Sequence, residues 1–239
     1  MRYVKMDEIE NIQIKFEPFI IYESIVSIGH PERHVVNSAC MGVHFTPTDE
    51  VYLHVYEDSH TRQLMKSGTK FSINFTDSFT EYAKAALLRK ECEEIESEID
   101  IENFSPLTPT PILKSAWCAV ECEVIEKGPS LIKKPPCRRR QEPNVRAKIT
   151  KKHVFAPPQI FNNRSMNLAL EALILSTRIP FCEPFSDEYK FSLRLYKHYK
   201  QKINEWRDID RFEEGFEYMD NYLIDNGVKP QDIFDMAFK

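Results

Sequence analysis

The chain has 239 residues, 42% of them hydrophobic and 29% charged, with a formal net charge of −5. That composition excludes a disordered or collagen-like chain and supplies a real core, in one large domain or a domain with an appendage. Only six glycines occur, at 29, 42, 68, 128, 215 and 227, so the Gly-rich phosphate loops GxGxxG and GxxxxGK are excluded.

The opening residues MRYVKMDEIENIQIKF hold no uninterrupted apolar run, which predicts no secretory leader. The longest apolar stretch, around Leu168 to Leu175, is too short to span a bilayer. Six cysteines (Cys40, Cys92, Cys118, Cys122, Cys137, Cys182) lie scattered without a CxxC pair. They read as reduced thiols, and the expected location is the cytoplasm.

The first half is strand-rich. Residues 12–16, 20–28, 34–40, 51–56 and 70–75 are dense in β-branched and aromatic side chains, and 117–126 and 145–155 follow later. Several alternate with period two, and turn signals at Gly29-His30-Pro31 and Thr46-Pro47-Thr48-Asp49 separate them. Many short strands with tight turns predict an antiparallel barrel or sandwich. A short helix is expected over 60–67, ending at Gly68, and a longer one from about Ser78 to Ile99. Prolines mark 102–111 as an extended connector and 129–143 as a long exposed loop.

Beyond residue 160 the pattern turns helical. Asn163 is placed to cap a helix running to about Arg178. Tyr189, Leu193, Tyr196, Tyr199, Ile203 and Trp206 then recur on one helical face, and so do Phe212, Phe216, Met219 and Leu223 behind an Asp210/Glu213 capping box. These stripes read as helix packing.

Charge is unevenly spread. Lys133 to Lys152 holds nine bases and one acid, Glu142, while Glu91 to Glu102 holds seven acids and no base. The basic run could hold nucleic acid, or the two runs could be solvated faces of opposite sign. The run lacks interleaved aromatics for base stacking.

The stretch from Tyr22 to Asp77 concentrates the chemistry. Ser59, Thr61 and Arg62 bring two hydroxyls, a guanidinium fork and the amides of a helix start, a set that suits a phosphate monoester. Glu57 and Asp58, just before them, are unfavourable to a dianion. Ser-x-Thr-Arg is equally an ordinary helix cap with an exposed arginine. Small residues at Ser38, Ala39 and Gly42 would let a flat ring lie against strand backbone.

YESIVS, NSACMGVHF, SHTRQLMKSGTKFSINFTD and NNRSMNLALEALILSTR resemble, in order and spacing, the archaeal domain family of unknown function 447 (DUF447). The resemblance spans about residues 19 to 180. It implies an FMN-binding split β-barrel related in fold to flavin reductases and pyridoxamine-phosphate oxidases. It also implies that Asn37, Ser38, Ala39, Cys40, Met41, Gly42 and Val43 line the isoalloxazine through backbone contacts. Ser59, Thr61 and Arg62 would hold the ribityl phosphate with His60 nearby, and Asn74 stands on the next strand of the same unit. Asn163 or Arg164 would reach the flavin or its phosphate, or else belong to a structural network with Asn167, Glu171 and Arg178.

Other candidates carry less. His44 and His54 fall on two strands of one hairpin and could approach each other, but two histidines make a poor metal site, so no metal is expected. Cys118 and Cys122 share a strand face directed to the interior. No motif nominates a covalent nucleophile or a catalytic acid or base.

The expected protein is therefore mixed α+β, an antiparallel split β-barrel with packed helices and a helical C-terminal portion. A flavin-binding barrel domain over 1–160 would carry a helical subdomain over 161–239 packed on it. Its function would be a non-covalent FMN flavoprotein and homodimer with flavin near the interface, possible as an oxidoreductase served by a nicotinamide or other electron donor. The alternatives are a non-catalytic flavin-binding or electron-storage protein, a barrel holding the deazaflavin F420, and a nucleic-acid binder through 133–152.

Overall fold

The computed structural model describes residues 14–18, 20–30, 35–56, 59–88, 97–105, 110–128, 144–156, 164–206 and 209–234. The chain divides into two compact units, one of residues 1–78 and 89–159, the other of residues 79–88 and 160–239.

The first unit is a closed antiparallel barrel. Its strands are β1 (Ile21–His30), β2 (Val35–Phe45), β3 (Glu50–Leu53), β4 (Lys70–Thr76), β7 (Ala116–Lys127) and β8 (Val145–Val154), in the spatial order β1-β2-β3-β8-β7-β4, with β4 returning to β1. A two-residue hairpin of β5 (Phe104–Ser105) and β6 (Ile112–Leu113) stands apart from it. The period-two pattern of the sequence is the cause of closure. Val26 and Ile28 of β1, Val43 and Phe45 of β2, Phe71, Ile73 and Phe75 of β4, and Cys118, Val120 and Cys122 of β7 all turn into one buried interior. Burial pushes the Cys118 thiol up to about 12, so it stays protonated at neutral pH. The alternate residues of β4, Ser72, Asn74 and Thr76, face the other way, yet they too are buried.

Residues 97–105 and 110–115 explain that second burial. Ser97 Oγ accepts from the Val36 amide at 2.9 Å and Glu98 Oε2 from the Ser38 amide at 2.7 Å. Ser72 Oγ donates to the Pro111 carbonyl, and the Leu113 amide donates to Asn74 Oδ1 at 3.0 Å. Thr110 Oγ1 donates to Glu121 Oε2 at 2.6 Å. These residues form a strap along the edge of β2 and over the outer faces of β4 and β7, so the hydroxyls beneath them are buried and paired, as buried polar groups must be.

Two expectations change here. Residues 14–17 form no strand; Phe16 instead stacks on Phe45 with ring centroids 3.8 Å apart and packs against the barrel core. The connector predicted over 102–111 contributes the strap and its small hairpin.

The second unit is helical. α2 (Phe79–Leu87), α3 (Arg164–Arg178), α4 (Asp187–Glu205), α5 (Glu213–Asp225) and α6 (Pro230–Phe234) make it up. Contacts group α2 with the C-terminal helices, not with the strands that flank it in sequence. It ends at Leu87, short of the predicted Ile99. Ser186 caps α4 by accepting from the Tyr189 amide at 3.1 Å. Leu193, Tyr196 and Ile203 of α4 and Phe216, Met219 and Leu223 of α5 are buried, as their spacing required. The Asp210/Glu213 capping box does not form: Asp210 lies in a short 3₁₀ turn, Ile209–Arg211, and Phe212 occupies the cap position without a side-chain bond. Its ring is fully buried, so packing fixes that end of α5. Asp220 is buried, taking a bond from the Tyr196 hydroxyl at 2.7 Å and one from Lys200 at 2.5 Å.

Candidate functional site

β2 and β3 meet along a short stretch of the closed barrel. β3 pairs with β2 only at Val43, His44 and Phe45, so the first part of β2, from Val35 to Gly42, has no strand on its outer edge among the described residues. The helix α1 (His60–Leu64) lies beside this pairing. Ser59 starts it, with Oγ accepting from the Arg62 amide at 3.2 Å and donating to the Tyr56 carbonyl at 2.7 Å.

Alternation sorts the predicted ring-lining stretch. Asn37, Ala39, Met41 and Val43 share the inward side of β2, and Ser38, Cys40 and Gly42 the outward side. In an antiparallel ladder the amides of every second residue point away from the partner strand, and here those of Val36 and Ser38 do so. The same alternation turns the amides of Cys40 and Gly42 to that edge. Ser38's amide is already engaged by Glu98, so the stretch able to meet a ligand edge through its backbone is Cys40 to Gly42. Burial pushes the Cys40 thiol far up, with Glu23 adding to it, so Cys40 offers no thiolate.

Asn37 joins this strand to α1. Its Nδ2 donates to Thr61 Oγ1 at 3.0 Å, which leaves Thr61 its own proton to give. Arg62 is 7% exposed. Its Nη2 donates to the Gly128 carbonyl at 2.7 Å, while Nη1 is buried and has no partner among the described residues. Lys127, the last residue of β7, donates from Nζ to the Arg62 carbonyl at 2.8 Å. Its ammonium is held below the ordinary lysine value by burial and then by the charges of Arg62 and Lys66.

A buried asparagine fixes this corner. Asn144 accepts from the Val55 amide and returns a bond to the Val55 carbonyl, both at 2.8 Å. Its own amide donates to the Leu53 carbonyl at 3.0 Å, and its carbonyl accepts from Gly128 at 2.7 Å. The chain leading to α1 is thereby tied to the ends of β7 and β8.

Sequence reasoning named Asn37, Ser59, Thr61 and Arg62, which the structure brings together, and it missed Lys127, Gly128 and Asn144. It also named Asn74, whose side chain is engaged by the strap. Asn74 is wholly buried, its amide nitrogen donating to the Ile25 carbonyl, Ser27 Oγ and Ser72 Oγ, and its oxygen accepting from Leu113. These bonds anchor the strap. His60 is exposed at the start of α1. Asn163 and the side chain of Arg164 lie outside the described residues, as do Glu57 and Asp58. Asn167, Glu171 and Arg178 of α3 are exposed, so that polar face needs no buried partner.

His44 and His54 do meet, with Nε2 atoms 3.1 Å apart. No group of three metal-ligating side chains occurs among the described residues. In the described part of the basic run, Arg146 pairs with Glu50 and Glu126 and Lys152 with Asp49, which answers those charges locally. No helix among the described residues is long and apolar enough to cross a membrane.

A six-stranded antiparallel barrel with a short capped helix beside the β2–β3 pairing defines a split β-barrel fold. The family described as protein of unknown function (DUF447), N-terminal domain, matches residues 22–154, and the chain belongs to that family. A crystal structure of an FMN-bound protein from Methanosarcina mazei, assigned to DUF447, superposes with a TM-score of 0.56 at 17% identity, over 86% of this chain and 94% of that one. At that identity the likeness establishes the fold. An FMN-binding protein from Thermus thermophilus with bound p-hydroxybenzaldehyde gives 0.43 at 14% identity, over 68% and 86%. The styrene monooxygenase flavin reductase from Pseudomonas putida S12 gives 0.39 at 13%, over 57% and 80%. No curated protein matches the chain.

Proposed function

We propose that this protein binds FMN non-covalently, with the phosphate at Arg62 and the ring along the edge of β2. The observation that carries the reading is Arg62 Nη1. A guanidinium nitrogen withdrawn from water without an acceptor costs free energy that an anionic oxygen would recover. Ser59 and Thr61 stand beside it with hydroxyls, and Asn37 links that corner to the strand whose Cys40 and Gly42 amides face outward. The fold shared with the FMN-bound family structure supports the same ligand.

The bound flavin would supply hydride or electron transfer. The chain's own part is to hold the phosphate, lay the ring on main chain and tune the ring by hydrogen bonds and nearby positive charge. We assign the protein to flavin-dependent redox chemistry with a nicotinamide or similar electron donor, acting as a homodimer with flavin near the subunit interface. Anaerobic turnover of NAD(P)H followed at the flavin band separates an oxidoreductase from an electron-storage protein.

The binding test is an equilibrium titration of the purified apoprotein with FMN and riboflavin. FMN should bind more tightly by the worth of its phosphate, about 10-fold or more for a single charge-assisted bond. Equal affinity for the two would place the phosphate in solvent and remove the reading. The absorption spectrum of the freshly purified protein distinguishes FMN from F420.

A further inference from the structure

The terminal residue of β7 is the feature of this corner that the reading above leaves unused. A lysine at a strand end ordinarily extends into water. Lys127 instead bends back to the carbonyl of Arg62, 65 residues earlier, and so brings its ammonium to the backbone of the residue whose Nη1 has no partner among the described residues. Lys66 adds a third cation that acts on Lys127. The acidic neighbour in sequence, Glu126, is turned to Arg146 at 3.2 Å. Like charges gathered together destabilise the empty fold, and the strain is relieved when an anion of more than one charge enters.

We propose that Lys127 is a second cation of the phosphate site and makes it selective for a terminal phosphate monoester over a phosphate that is bridged or absent. This rests on the FMN reading and deepens it. A monoester carries about −1.5 to −2 charge at neutral pH, matching two cations, and it has three free oxygens to share between them. Arg62 supplies a directional fork and Lys127 a mobile point charge with two hydrogens beyond the one given to the Arg62 carbonyl. The proximal phosphate of FAD carries one charge and one fewer terminal oxygen, and riboflavin has none.

The experiment compares FMN, FAD and riboflavin affinities in the wild type and in Lys127→Met, Lys127→Arg and Arg62→Ala. Lys127→Met keeps the apolar stem at an exposed position, so folding should persist. It should weaken FMN by about 10- to 100-fold, leave riboflavin within about 2-fold and collapse the preference for FMN over FAD; Lys127→Arg should keep most of that preference. If Lys127 only fastens β7 to α1, all three flavins weaken together and the proposal is overturned. Unchanged FMN affinity in Lys127→Met, with a loss in Arg62→Ala, overturns the role of Lys127 and leaves the FMN reading standing. A wild type that fails to bind FMN overturns both.

Discussion

Asn37 on β2 gives its side-chain amide to the hydroxyl of Thr61 on α1 across 3.0 Å, joining that strand to the helix that carries Arg62. Both residues are buried, at 6% and 3% exposure, so the bond is made out of competition with water. Asn37→Ala should therefore cost about 1–3 kcal/mol, since Thr61 loses its donor inside the fold. Urea unfolding reads the stability. FMN titration should show a parallel loss of several-fold, because α1 is no longer registered against β2. A stable variant with unaltered FMN binding would show that α1 is held by its other contacts alone.

Arg62→Ala removes the guanidinium and with it the bond to the Gly128 carbonyl. A charge-assisted bond is worth about 1.5–3 kcal/mol, so FMN affinity should fall roughly 10- to 150-fold. Riboflavin, which has no phosphate, should be nearly indifferent to the change. The contrast between the two ligands is the measurement; an equal fall for both would indicate collapse of the corner.

What was legible follows from the range of each interaction. Period-two alternation at Phe71, Ile73 and Phe75 placed β4, and the Ser59-to-Arg62 motif placed α1, because both signals lie within a few adjacent residues. The partners of Arg62 lie 65 and 66 residues along the chain, and Asn144 clamps Val55 across 89. A lysine before a glycine, or an asparagine after a proline, carries no local mark of such a role. The bond Asn74 takes from Leu113, 39 residues on, was equally out of local sight, because prolines and two-residue strands hide the residues of the strap. The helix beginning at Phe79 was legible as a helix, but its membership in the C-terminal unit was not, since that depends on Phe79, Phe212 and Phe216 meeting across more than 130 residues.

Glu121 makes the strap sensitive to acid. Its carboxylate is 7% exposed and takes bonds from Thr110 and His153, each at 2.6 Å. Burial alone would raise its pKa, but the two hydrogen bonds and the charges of His153 and Lys151 outweigh it and hold the group below the usual carboxylate value. A depressed folded-state pKa contributes stability that is present above the unfolded value, about 4.3, and lost as pH falls through the lower folded value. Thr110→Val should thus lower stability at neutral pH by about 1–2 kcal/mol and reduce the difference from wild type below about pH 4. Melting temperatures across that range read it. A gap of constant size at every pH would mean that the threonine acts only by packing.

Gly215 tests how closely the helical unit is packed. It is the third residue of α5, and a Cβ placed there would lie 2.5 Å from Cδ1 and 2.6 Å from Cε1 of Phe79 on α2. Real Cβ contacts are not that short, so Gly215→Ala must displace the ring. Phe79 is 3% exposed and sits edge-on to Phe212 with centroids 5.4 Å apart, leaving it no open direction. The helix propensity of alanine over glycine favours the variant by about 1 kcal/mol, and overpacking opposes it by about 1–3 kcal/mol. The clash should win, giving a net loss of up to about 2 kcal/mol in calorimetry. Adding Phe79→Leu, which withdraws the ring edge, should recover part of that loss, and the double variant should then be more stable than the sum of the two single changes predicts.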